Sequence, residues 1–94
     1  MSNKHQKTLI EIFEIPTRNN ISYREIKSLL KYLGIDITNG NGSRRKINFN
    51  KQVHFFHEPH GADSFGEYQV EDLREFLQKV GITPNNDIIF KGEN

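Results

Sequence analysis

At 94 residues the chain has the length of one domain and leaves no room for two cores. A chain of this size buries roughly 60–65% of its extended surface, so it can fold alone but only marginally. It has no cysteine, which excludes disulfides, thiolate nucleophiles and thiolate metal sites, and no apolar run approaches the ~20 residues that span a bilayer. Net charge is only +1, yet the charge is unevenly distributed. Residues 1–36 carry six basic and four acidic side chains. Residues 37–57 carry Arg44, Arg45, Lys46 and Lys51 and no acid. Residues 58–94 carry three basic and eight acidic side chains. A basic stretch of this kind usually faces a polyanion; the alternative is that four cations on strands simply keep an exposed face soluble. The start, Met1 to Lys7, is polar and no apolar segment follows, so no signal peptide is expected and the expected compartment is the cytoplasm.

The first helical signal is short: Leu9, Ile12 and Phe13 fall at i, i+3 and i+4, and Pro16 stops the pattern. Thr17 to Asn20 reads as a connector. The second helix is better marked. Ser22 is a good N-cap with Glu25 three residues on, a capping box, and Ile21 and Ile26 suit a hydrophobic staple. Ile26, Leu29, Leu30 and Leu33 form one stripe, and Gly34 follows where a left-handed residue is wanted.

Strand signals come next. Ile35 and Ile37 alternate with polar residues, and Asn39-Gly40-Asn41-Gly42 is a strong turn. Over Ser43 to Phe49, alternation sets Ile47 and Phe49 on one face and Arg44, Lys46 and Asn48 on the other. Asn50-Lys51 makes a second turn and Gln52 to His57 a third strand. Pro59, Gly61 and Gly66 mark a loop of about ten residues. A last helix presents Val70, Leu73, Phe76, Leu77 and Val80 on one face, with Gly81 closing it. The acids Glu67, Glu71, Asp72 and Glu75 fall on its polar face, which is more often solvated than a site. After Thr83-Pro84, Asp87 to Phe90 reads as a short added strand or a tail that folds onto a partner. Seven of the ten aromatic residues are Phe, so much of the core is expected to be Phe. The expected architecture is a single α+β domain over residues 1–94, ordered α-α-β-β-β-α. Its core spans about 8–82, with a three-stranded antiparallel meander backed by helices and one sheet face open.

Three of the four histidines, His54, His57 and His60, fall in one stretch. Three imidazoles can hold Zn²⁺, but on a strand His54 and His57 point to opposite faces, and Pro59 prevents a helix that would align them. His57 and His60 remain able to meet across the loop. Histidine also suits metal-free RNA cleavage, in which a base takes the 2′-OH proton, an acid protonates the leaving 5′-oxygen and cations hold the phosphorane charge. Arginine supplies a planar fork for phosphate. The competing reading is that His57 and His60 only anchor the loop, or bind RNA without reacting. Ser43, after a glycine in a turn, either contacts phosphate or simply ends the turn.

Taken in order, several segments resemble the HicA family of bacterial toxin–antitoxin systems. They are Ser22-Tyr23-Arg24-Glu25-Ile26-Lys27-Ser28-Leu29-Leu30 leading to Leu33-Gly34, then Gly40-Asn41-Gly42-Ser43-Arg44, then His57-Glu58-Pro59-His60. Tyr68-Gln69-Val70-Glu71-Asp72-Leu73-Arg74-Glu75-Phe76-Leu77 leading to Gly81-Ile82 completes the set. The likeness covers about residues 8–82. It implies a double-stranded-RNA-binding-domain-like fold and an endoribonuclease toxin that cleaves mRNA. It also implies no metal or cofactor, and silencing by a HicB-like antitoxin protein over the active face. Many members carry Gly-Ser-His at the start of the second strand, with that histidine held to be catalytic. Here Gly42-Ser43 is followed by Arg44 and Arg45, and the His-x-Pro-His at His57 to His60 resembles a longer-hairpin subgroup. On this reading His57 and His60 are the acid–base residues, Arg44, Arg45 and Lys46 bind and stabilise phosphate, and Ser43 helps position it. The alternative is a non-catalytic RNA-binding or antitoxin-binding module on the same fold.

Overall fold

A computed structural model of the chain describes residues 3–60 and 63–84. Within them the order is α1 (Asn3–Ile12), β1 (Ile21–Ser22), α2 (Tyr23–Tyr32), β2 (Asp36–Asn39), β3 (Arg44–Phe49), β4 (Gln52–His57), β5 (Ser64–Phe65) and α3 (Glu67–Lys79). Strands β2, β3 and β4 form an antiparallel three-stranded meander, and the three helices place it in the α+β class. The segment Asp87 to Phe90, expected as an added strand or a tail, lies outside the described residues.

Local chemistry sets the helix ends. The Ser22 hydroxyl accepts from the Glu25 N–H at 3.1 Å, the first half of the expected capping box. Gly34, at φ +80°, lets the Ile35 N–H turn back to the Leu30 carbonyl at 2.9 Å. Gly81, at φ +83°, does the same for Ile82 and Leu77 at 2.8 Å. The C-terminal end of α1 is tied down from a distance. Arg74 on α3 donates to the carbonyls of Ile12 at 2.9 Å and Glu14 at 3.1 Å, and to the Thr17 hydroxyl. A guanidinium is well suited to orphan carbonyls at a helix C-terminus.

The helices cover one face of the sheet. Leu9 and Ile12 of α1, Ile26, Leu29 and Leu30 of α2, and Val70, Leu73, Phe76 and Leu77 of α3 are all buried, and Ile47 of β3 and Phe56 of β4 meet them. The expected stripes of α2 and α3 are thus in the core, apart from Leu33 at the end of α2, which is only partly buried. Among the described residues Phe56, Phe65 and Phe76 are buried and Phe13 and Phe49 pack against the core, while Phe55 stands 51% exposed on the other face. Around Phe56, Tyr23 stacks on Phe65 at 5.7 Å and meets Phe56 edge-on at 5.9 Å.

Beyond the meander, β1 and β5 pair antiparallel, with Ile21 opposite Phe65 and Ser22 opposite Ser64. Part of the segment expected to be a plain loop is therefore laced to the start of α2, where the Tyr23 N–H also donates to the Asp63 carbonyl at 2.8 Å. Two-residue strands are too short to leave a period-2 pattern in a sequence.

Candidate functional site on the open sheet face

The site is organised by the β3–β4 hairpin. Asn50 and Lys51 both have positive φ, 53° and 67°, the geometry of a two-residue turn whose twist matches that of the strands. The turn sets Phe49 opposite Gln52, and the register then runs without a break to Arg44 opposite His57. Successive side chains alternate across the sheet. Arg44, Lys46, Asn48, Val53, Phe55 and His57 face away from the helices, joined by Asp36 and Thr38 of β2. Arg45, Ile47, Phe49, His54 and Phe56 face the helix side.

At the far end from the turn, four features converge. The Ser43 hydroxyl and His57 Nδ1 lie 3.2 Å apart. The Glu58 N–H donates to the Ser43 carbonyl at 2.7 Å, extending the hairpin by one pair. The Gln69 side-chain amide donates to the His57 carbonyl at 2.7 Å and accepts from the Gly66 N–H at 3.1 Å, so one residue caps α3 and anchors the end of β4. The Arg44 guanidinium lies over the Phe55 ring, 4.6 Å from its centre. Gly40 closes the Gly40–Ser43 turn through its N–H to the Arg44 carbonyl at 2.8 Å. A Cβ there would come within 3.3 Å of that carbonyl oxygen, so the backbones approach as only glycine readily allows.

The two adjacent arginines play different parts. Arg44 is exposed, and with Lys46 and Phe55 it lines a shallow groove of about 180 Å³ that Thr38, Asn39, Gly40 and part of Arg45 also border. Arg45, one residue on, turns toward the helix side. Its Nε and Nη2 reach Glu58 Oε1 at 3.0 and 2.8 Å, and its Nη1 donates to the carbonyls of Gly42 and Arg44. Its side chain is only 16% exposed. The same cluster touches Tyr23. Burial pushes the Tyr23 phenol up from its usual value and the Glu58 carboxylate adds to the rise, while the nearby Arg45 works the other way. Arg45 therefore braces the Gly42–Arg44 turn against Glu58, and its charge is already matched.

The histidines separate. His57 lies on the open face beside Ser43. His60 is exposed in the segment after Pro59, and among the described residues no hydrogen bond or ring contact joins it to His57. His54 turns to the helix side between Phe56 and Phe76, at ring-centre distances of 6.1 and 5.6 Å. Burial lowers its pKa, partly offset by the carboxylates of Asp72 and Glu75. Among the described residues no group of three His, Cys, Asp or Glu side chains is arranged to hold a metal ion.

Of the residues singled out from sequence, Ser43, Arg44, Lys46 and His57 are brought onto one face at one end of the sheet. Phe55, Glu58 and Gln69 were not singled out. Phe55 was legible in principle, because the alternation that exposes Arg44 also exposes an aromatic at its diagonal position. The roles of Glu58 and Gln69 depend on long-range contacts and left no local signal. No helix among the described residues is long and apolar enough to cross a membrane. In comparisons with known proteins, no family model, curated protein or solved structure matches the chain.

Proposed function

We propose that the chain is a metal-independent endoribonuclease that cleaves mRNA in the cytoplasm, the toxin of a type II toxin–antitoxin pair of HicA-like type. On this reading the helix-backed meander is a variant of the double-stranded-RNA-binding-domain-like fold, and a HicB-like antitoxin silences it by covering the open face. The observation that carries the proposal is the Ser43–His57 contact at 3.2 Å next to the exposed cation Arg44.

The chemistry follows from those groups. With its proton on Nδ1, His57 donates to the Ser43 oxygen and leaves Nε2 as a base toward solvent, positioned to take the 2′-OH proton. The 2′-oxygen then attacks phosphorus, the 5′-oxygen leaves with a proton from an acid, and the products are a 2′,3′-cyclic phosphate and a 5′-hydroxyl. Arg44 and Lys46 face the phosphate and balance charge that builds on its oxygens. His60 fills the acid role in this scheme. Arg45 contributes by holding the turn that carries Ser43.

The test is incubation of the purified chain with end-labelled RNA in the presence of a chelator, with mapping of the ends. Cleavage leaving cyclic phosphate, and its loss by about 10²-fold or more in His57→Ala, is expected, since general acid–base groups contribute about 10²–10⁴. Intact RNA with wild type, or equal cleavage by the variant, overturns the proposal.

A second reading is favoured by one observation: Arg44, at the position where the family usually carries its histidine, is stacked on Phe55. An arginine–aromatic pair is a platform for an unpaired base. A non-catalytic RNA-binding module would retain salt-sensitive RNA affinity in His57→Ala and never cleave.

A further inference from the structure

Among the described residues strand β4 is an edge of the sheet. Because the two-residue turn makes Phe49 and Gln52 a hydrogen-bonded pair, Gln52, His54 and Phe56 direct their backbone groups toward β3. Val53 and Phe55 direct theirs outward. Among the described residues no group pairs with those outward donors and acceptors. Natural edges carry devices that stop another strand from adding: a charge, a proline, a bulge or short length. The opposite edge, β2, has four residues, including Asp36. Strand β4 has six, Gln52-Val53-His54-Phe55-Phe56-His57, with no Lys, Arg, acid or proline, and its ladder with β3 has no bulge. Val53 and Phe55 are 48% and 51% exposed.

Beside this edge runs a groove of about 350 Å³ between β4 and α3, lined by Val53, His54 and Phe55 from the strand and by Asp72, Glu75 and Lys79 from the helix. The helix runs antiparallel to the strand, since Gln69 meets His57 while Phe76 meets His54. We propose that this edge and groove pair with the same edge of a second copy, giving a two-fold dimer with one continuous six-stranded sheet.

The outward backbone groups allow only pairings among these positions, and in one register Val53 and Phe55 satisfy each other. Val53 exchanges both hydrogen bonds with the partner's Phe55, Phe55 does so with the partner's Val53, and the axis passes between the two copies of His54. Along α3, that axis falls beside positions 75 and 76, midway between Asp72 and Lys79. The two-fold then sets each Lys79 against the partner's Asp72, two opposite-charge pairs that flank the two copies of Glu75 beside the axis. An acid before the axis and a base after it complement themselves only when the same helix returns antiparallel, which is what favours a second copy over an unrelated strand. The axis stands perpendicular to the sheet, so the two open faces, each with Arg44 and His57, lie on one side of the dimer.

Sedimentation velocity of the full chain over a range of concentrations tests this. A species of twice the 11.0 kDa chain mass is expected at high concentration. Asp72→Lys, which opposes two cations across the axis, should weaken association by about tenfold or more. Asp72→Lys with Lys79→Asp restores the opposite charges and should bring association back. Val53→Pro removes an outward donor at an edge position that tolerates proline, and should leave a folded monomer by circular dichroism. A wild-type chain that stays monomeric throughout overturns the proposal. So does a dimer that survives Val53→Pro, and so does a charge swap that fails to restore association.

Discussion

Replacing Arg45 with methionine tests the division of labour between the adjacent arginines. Methionine keeps most of the stem and removes the guanidinium. The lost contacts are two charge-assisted bonds to Glu58, at 3.0 and 2.8 Å, and two bonds to the carbonyls of Gly42 and Arg44. The carbonyl bonds are exposed, so water replaces them at little cost. The ion pair is half-buried, with side-chain exposures of 16% for Arg45 and 36% for Glu58. Exposed pairs are worth about 0.2–1 kcal/mol, and breaking a buried one costs about 3–5 kcal/mol, so an intermediate loss of about 2 kcal/mol is expected. For a domain of this size that lowers Tm by about 8–16 °C. Thermal unfolding of Arg45→Met, Glu58→Gln and the double variant should give a coupling energy of about 1–2 kcal/mol. RNA binding supplies the second half of the test. A cation already matched by a carboxylate releases no phosphate counterion, so Arg45→Met should leave the salt dependence of RNA affinity unchanged, while Arg44→Met should make its slope shallower by about 0.7. A stability loss below about 0.5 kcal/mol, or equal slope changes for the two arginines, would refute the bracing role.

Other expectations follow from the same geometry. Ser43→Ala should reduce RNA cleavage less than His57→Ala does while leaving Tm within about 2 °C, as measured by gel-based rates and calorimetry, because the hydroxyl orients the imidazole and is itself exposed. Lys51→Gly should raise stability by about 0.5–1 kcal/mol in urea unfolding, since Lys51 holds φ +67° in the hairpin turn and glycine adopts that conformation without a Cβ penalty. Burial depresses the folded-state pKa of His54 below its unfolded value near 6.5. Protonation therefore favours the unfolded chain, and this part of the stability is complete above about pH 6.5 and is lost as pH falls toward the folded pKa. Chemical unfolding between about pH 7.5 and 5.5 should show a steeper fall for wild type than for His54→Phe, and parallel curves would show that His54 is not the titrating group.

What could be read from the chain was whatever has a local or periodic cause. Helix α2 was legible because a serine cap, a three-to-four spacing of apolar residues and a terminal glycine all act within one or two turns. The hairpin was legible because two turns and strict alternation specify register, and the same alternation correctly put Arg44 and Lys46 on the open face. That parity rule also places Arg45 on the helix side, but only the tertiary structure brings Glu58 within 3 Å of it and turns a presumed phosphate ligand into a brace. The β1–β5 pairing, the Arg74 clamp on α1 and the Gln69 anchor join residues more than ten, and as many as 62, positions apart. Such contacts have no periodicity to betray them, because their partners are chosen by how packed helices bring distant segments together. The composition of the Ser43–His60 segment suggested polyanion contact from its cations and proton transfer from its histidines. The fold decides which of those side chains share a face, and it groups Ser43, Arg44, Lys46 and His57 while turning Arg45 and His54 inward.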